Sequence, residues 1–126
     1  MVTQVTSLAR SGLADFLIQR LSAVVLALYT LCLLSFFAAN DGLDHVQLAA
    51  FFGSASMRAF SVLAVLSTAA HGWIGLWTVG TDYLRPHYFG AQAAVFRMVF
   101  QVGCGLLLFI YVWWGIRLFW MLPGPA

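Results

Sequence analysis

Ala59-Phe-Ser-Val-Leu-Ala-Val-Leu-Ser-Thr-Ala-Ala-His71-Gly-Trp-Ile-Gly-Leu-Trp-Thr-Val-Gly-Thr81 lies between Arg58 and Asp82, and His71 is its one ionisable side chain. The run is close to the roughly 20 apolar residues that carry a helix across a ~30 Å hydrocarbon core. A strand is a poor alternative, because a membrane barrel needs about eight or more short alternating segments. The stretch therefore reads as a transmembrane helix with a histidine near its middle.

Working outward, two more gaps between charges have the same length. Leu21 to Asn40 separates Arg20 from Asp41, and the run after Arg97 starts at Met98 and keeps its apolar character past Arg117 to Leu122. The sequence thus predicts an all-α, three-transmembrane-helix membrane anchor in one domain, with spans at about 21–40, 59–81 and 98–122 and a short interfacial N-terminal segment. Composition agrees: 63% of the 126 residues are hydrophobic and 8% charged, with no lysine and no glutamate. So few polar groups cannot cover a small soluble domain, so membrane lipid or an apolar partner must surround most side chains. A net charge of +2 gives no reason to invoke nucleic acid. The first twenty residues mix Arg10, Asp15 and Arg20 with apolar residues, which reads as neither a cleavable signal nor a transit peptide. Cys32 and Cys104 fall inside spans and read as small packing residues.

Orientation follows from arginine placement. The N-terminal segment and the second loop share one side and carry Arg10, Arg20, Arg85 and Arg97, against Arg58 and Arg117 on the other. The positive-inside rule puts the N-terminus and the second loop in the cytoplasm, and the lack of a signal or transit pattern reads as a protein of a bacterial inner membrane. In the first loop, Asn40-Asp41-Gly42 signals a turn, and Asp44 is placed to cap a short helix through Phe52, ended by Gly53 and Ser54, with Leu48, Phe51 and Phe52 expected to face lipid. Pro86 should stop the second helix soon after Tyr83. The third ends in an aromatic belt of Tyr111, Trp113, Trp114, Phe119 and Trp120 before Pro123-Gly124-Pro125.

A mid-membrane histidine costs several kcal/mol unless it is paired or liganded. Three readings stand for His71: a neutral side chain hydrogen-bonded to a neighbouring helix, a metal or haem ligand, and a proton relay. At ~100° per residue, Ala64, Ser67, His71, Gly75, Thr78 and Asp82 fall within an arc of roughly 80°, while Trp73 and Trp77 project elsewhere. A small-residue stripe admits a close helix, or equally a flat macrocycle. A six-coordinate haem needs a second axial ligand. His45 and His87, the other two histidines, lie in loops. A bis-histidine haem would therefore take its second ligand from another polypeptide.

Asp82 and Tyr83 stand where the second span meets the cytoplasmic interface, ~16 Å along the helix from His71. They read either as ordinary interfacial residues or as a quinone site, with the phenol donating to a quinone carbonyl and Asp82 and Arg85 setting the local charge. Arg20, at the cytoplasmic end of the first span, either snorkels to head groups or pairs with a haem propionate in bidentate geometry.

The block from His71 through Gly-Trp-Ile-Gly-Leu-Trp-Thr-Val-Gly-Thr to Asp82-Tyr83-Leu-Arg85-Pro86 resembles the signature of the hydrophobic membrane anchor subunit of bacterial succinate dehydrogenase, the smaller of its two anchors. Arg10-Ser-Gly-Leu-Ala-Asp15-Phe-Leu-Ile-Gln-Arg20 resembles that family's opening segment, so the likeness covers nearly the whole chain. The resemblance implies that His71 is one axial ligand of a b-type haem held between the two anchors. It also implies that Tyr83 hydrogen-bonds ubiquinone with Asp82 beside it, and that Arg20 approaches a propionate. Members of the family carry a histidine just before the position of Asp15. Here that residue is Ala14, a departure that touches one propionate contact and not the haem itself. The implied partners are a second three-helix anchor of the cytochrome b type, an iron–sulfur subunit and a flavoprotein subunit carrying the FAD. The chain has no nucleotide motif or cysteine cluster of its own and is not expected to be catalytic alone.

Two other assignments compete. One is the anchor of a fumarate reductase working with menaquinone, against which the spacing of His71 from Asp82-Tyr83 argues. The other is a small proton-conducting transporter subunit with His71 as relay. Such a protein is expected to bury several ionisable groups, and within the spans there is one.

Overall fold

A computed structural model describes residues 12–123. Arg10, Gly124 and Pro125, which enter the topology and terminator readings, lie outside the described residues.

The described chain is helical, with no strand. Its elements are α1 (Gly12–Ala39), α2 (His45–Gly53), α3 (Ala55–Tyr83), α4 (Pro86–Phe89), a 3₁₀ turn at Gly90–Gln92 and α5 (Ala93–Met121). Three helical segments, Gly12–Ala39, Ala55–Tyr83 and Pro86–Met121, are long and apolar enough to cross a membrane, and the chain is a multi-pass membrane protein.

The helices outrun the gaps between charges. α1 has 28 residues, ~42 Å at 1.5 Å per residue, against a ~30 Å hydrocarbon core. Among the described residues it begins at Gly12 rather than near Leu21, so residues 12–20 are helical and continuous with the first span. α5 likewise starts at Ala93, ahead of the expected Met98. Charges mark where hydrocarbon ends, not where the helix does. In the head-group layer a helix keeps its own hydrogen bonds while long arginines reach water. Within the spans, hydroxyls fold back on their own helix: Thr30 donates to the Leu26 carbonyl (2.8 Å), Ser35 to Leu31 (2.7 Å), Thr68 to Ala64 (2.9 Å) and Thr78 to Ile74 (3.0 Å).

α3 is central, packed by α1 on one side and α5 on the other. The contact layers are thin and made of small residues: Ser22, Ser61, Ala64, Ser67 and Ala93 are buried, with Met57, Val65 and Ile74 among the few larger side chains. Bulky side chains such as Leu107, Phe109, Trp114 and Trp120 point outward, as lipid or a partner subunit requires. At the α3–α5 seam, a Cβ on Gly115 would stand 3.0 Å from both methyls of Val65, and one on Gly105 would stand 3.4 Å from the Trp73 ring. Gly115→Leu is therefore expected to force the helices apart and cost about 1–3 kcal/mol, read as a lower thermal midpoint of the purified protein. An unchanged midpoint would show that the seam is not close-packed there.

The first loop folds as its residues indicate, with one correction. Asp44 caps α2 through a reciprocal box, its Oδ1 accepting from the Gln47 backbone N–H (2.8 Å) while the Gln47 side chain accepts from the Asp44 N–H (3.0 Å). Ser54 then closes α2 by donating to the Phe51 carbonyl (3.0 Å) and opens α3 by accepting from the Met57 N–H (3.4 Å). Leu48, Phe51 and Phe52, expected to face lipid, are instead all half-buried within the chain. Phe51 stacks on Phe36 of α1 at 3.7 Å and 4°, and Phe52 lies 6.0 Å from Phe119 of α5. Gly53 is seated so tightly that a methyl there would collide with the Pro123 carbonyl. The apolar face of α2 thus lies against the end of the bundle.

Candidate functional site

His71 sits on the side of α3 that faces α1, where it is half-buried. Its Nδ1 lies 3.2 Å from Ser22 Oγ and 3.3 Å from the Gln19 carbonyl. The Ser22 hydroxyl donates its own hydrogen to that same carbonyl at 3.1 Å. With the serine hydrogen used and the carbonyl able only to accept, the proton belongs on His71 Nδ1, which donates to both oxygens. The neutral ring then carries its lone pair on Nε2, which has no hydrogen bond among the described residues. A second-shell contact of this kind to a backbone carbonyl fixes the tautomer and orientation of a ligating histidine.

The ring lines a groove of about 360 Å³ with Asp15, Phe16, Gln19, Arg20, Ala23 and Ile74. The continuation of α1 past Arg20 brings these side chains together, since Asp15, Gln19 and Ser22 recur at helical spacing on the face turned to α3. Arg20 is exposed, makes no ion pair among the described residues, and stands over the Phe16 ring at 5.1 Å. Asp15 Oδ1 and Gln19 Oε1 are buried without a hydrogen-bond partner. Buried polar atoms are rarely left in that state, so these two acceptors call for a donor from outside the described residues. One turn along α3 from His71, a Cβ on Gly75 would meet nothing within 4 Å.

The small-residue stripe of α3 thus divides. Ala64 and Ser67 are buried, and the neighbouring Ser61 accepts from or donates to Tyr29 of α1 at 2.7 Å. The chain's own first helix packs against that half, as a close helix rather than a macrocycle. Only the half from His71 to Asp82 is open. The groove also changes the count of ionisable groups: Asp15 and Arg20, outside the expected span, share it with His71.

The groove's residues fit a haem. An imidazole whose Nε2 makes no hydrogen bond and a guanidinium that makes no ion pair, both among the described residues, with open space over a glycine one turn away, are what a histidine-ligated macrocycle with propionates requires. Among the described residues no group of three or more His, Cys, Asp or Glu could hold a bare metal ion. His45 begins α2, and His87 lies in α4 against the Tyr88 ring at 5.1 Å, so neither joins His71.

Asp82 and Tyr83 form a separate place at the other end of α3. Asp82 Oδ1 accepts from Arg85 Nη2 at 3.2 Å, while Arg85 Nε donates to the Thr81 carbonyl at 3.2 Å. Tyr83 is the last residue of α3, 67% exposed, with no hydrogen bond among the described residues. Its hydroxyl is open to an incoming acceptor. The sequence did not disclose Ser22 and Gln19 as partners of His71, because the pairing crosses helices and leaves no spacing signal.

Comparison with known proteins bears on the whole chain. Over 113 residues it is 27% identical to the succinate dehydrogenase hydrophobic membrane anchor subunit of Coxiella burnetii, covering 90% of this chain and 92% of that protein. No family model matches the chain. The resemblance read from His71–Pro86 and Arg10–Arg20 is thus supported by a similarity of nearly full length to a protein bearing that family's name.

Proposed function

We propose that this chain is a single-domain membrane anchor subunit of a bacterial succinate:ubiquinone oxidoreductase, supplying one axial ligand to a b-type haem and part of the quinone site. The observation that carries the reading is the hydrogen bonding of His71. Nδ1 is committed to Ser22 and Gln19, which leaves Nε2 free in a groove that also holds Arg20. In this reading His71 Nε2 binds the iron and Arg20 pairs with a propionate. The haem would supply a one-electron store beside the quinone.

The haem's other protein ligand would come from a second anchor of the cytochrome b type. That subunit lies over the open half of the α3 stripe and brings donors to Asp15 Oδ1 and Gln19 Oε1. The flavoprotein subunit with its FAD oxidises succinate, and the iron–sulfur subunit passes the two electrons on. At the cytoplasmic face, Tyr83 donates a hydrogen bond to a ubiquinone carbonyl. The Asp82–Arg85 pair beside it sets the field in which the quinone takes up two electrons and two protons. With the N-terminus and the loop from Asp82 to Arg97 on the cytoplasmic side of the inner membrane, the quinone site meets the soluble subunits there.

The similarity to the Coxiella burnetii anchor weighs against the transporter reading, even with Asp15 and Arg20 sharing the groove of His71. Co-expression tests the shared site. A six-coordinate, low-spin haem is expected when the chain is produced with its second anchor and not when it is produced by itself. Six-coordinate haem on the isolated monomer would sink the reading.

A further inference from the structure

Tyr83 has no side-chain hydrogen-bond partner among the described residues, so its position is inherited from the backbone of the last turn of α3. That turn is held from α5. Arg97 Nη2 donates to the carbonyl of Leu84, the residue after Tyr83, at 2.8 Å, while the Leu84 N–H donates to the Gly80 carbonyl at 3.2 Å. A cation one turn into α5 stands near the positive end of that helix's own dipole, an unfavourable place. It is compensated by reaching the negative, C-terminal end of α3, where basic side chains bind the last carbonyls.

The stem of Arg97 reaches the same point. A Cβ on buried Gly80 would lie 3.9 Å from Arg97 Cγ and 3.3 Å from the Phe100 ring. Gly80 therefore lets α5 approach α3 closely, and Arg97 and Phe100 close over it. By contrast Asp82 and Arg85 are both about half exposed and pair with each other three residues apart, which ties the end of α3 to no other span.

We propose that Arg97 is a positioning residue for the quinone site: with Gly80 and Phe100 it clamps the cytoplasmic end of α3, so that the Tyr83 hydroxyl is presented to the quinone head group at a fixed place. The inference rests on the quinone reading of Tyr83. The clamp touches no substrate. It lowers the freedom of the residue that does, and a loosened helix end shows in quinone affinity before it shows in turnover.

The test is kinetic, on the intact purified complex. Arg97→Gln should raise KM for a short-chain ubiquinone analogue on the order of three- to tenfold, with a smaller change in kcat. The haem spectrum and dye-linked succinate oxidation serve as controls for assembly. Arg97→Lys, which keeps one cationic donor, should restore part of the loss. In a Tyr83→Phe background, Arg97→Gln should add little, because the two act through one hydroxyl. If Arg97→Gln prevents assembly, Gly80→Ala displaces the same helix end against Phe100 and should raise KM in its place. A wild-type KM in an assembled Arg97→Gln or Gly80→Ala complex, where Tyr83→Phe does raise it, overturns the clamp and leaves the quinone site standing. A silent Tyr83→Phe instead removes the quinone reading, and the clamp with it.

Discussion

His71→Ala is expected to abolish the low-spin b-haem spectrum of the complex. Two outcomes realise this: the haem is lost, or it remains with water or another weak ligand in the vacated position and becomes high-spin. The substitution removes the Nε2 lone pair and leaves Ser22 and the Gln19 carbonyl without their donor. Ser22 can still donate to Gln19 at 3.1 Å, so α1 keeps its local hydrogen bond and the helix pair should survive. Succinate oxidation by an artificial acceptor should continue wherever the complex assembles, since the flavin and iron–sulfur chemistry belong to partner subunits. An unchanged low-spin spectrum in the variant would contradict ligation by His71.

Tyr83→Phe separates a quinone role from interfacial anchoring. The ring stays, so placement at the membrane surface should hold, and only the hydroxyl goes. A lost hydrogen bond costs roughly 0.5–1.5 kcal/mol net, and more where its partner is left buried and unpaired. Quinone reduction should therefore fall by a factor of several to tens, at ~1.4 kcal/mol per tenfold. Haem content should stay near wild type, because Tyr83 lies about three helical turns from His71. Wild-type quinone kinetics with unchanged inhibitor sensitivity would reduce Tyr83 to an anchor.

The parts of this architecture that are written along the chain were legible in it. Apolar runs bounded by arginine or aspartate give three helices, Asp44 gives a capped short helix, and Pro86 gives the end of α3. What lies across the chain was not. The apolar face of α2 could be seen in Leu48, Phe51 and Phe52, but hydropathy does not distinguish lipid from a neighbouring phenylalanine, and Phe36 takes the place assigned to lipid. Arg20 looked like a terminus because a charge ends an apolar run. The helix runs on to Gly12, and that extension carries Asp15 and Gln19 to the His71 groove. The small stripe of α3 was visible as a whole, yet its division into a half covered by α1 and an open half depends on how the two helices cross.

The central claim is that this chain works as one subunit of a succinate-oxidising, quinone-reducing complex with a shared haem. Purification from bacterial membranes through a tag on this chain tests it most directly, followed by a succinate-reduced minus oxidised spectrum of what is recovered. The expected result is a flavoprotein, an iron–sulfur protein and a second three-helix subunit in company with the chain, a b-type haem signal, and succinate-dependent reduction of ubiquinone. Recovery of the chain without those three partners, or of a complex that neither oxidises succinate nor holds haem, would contradict the account.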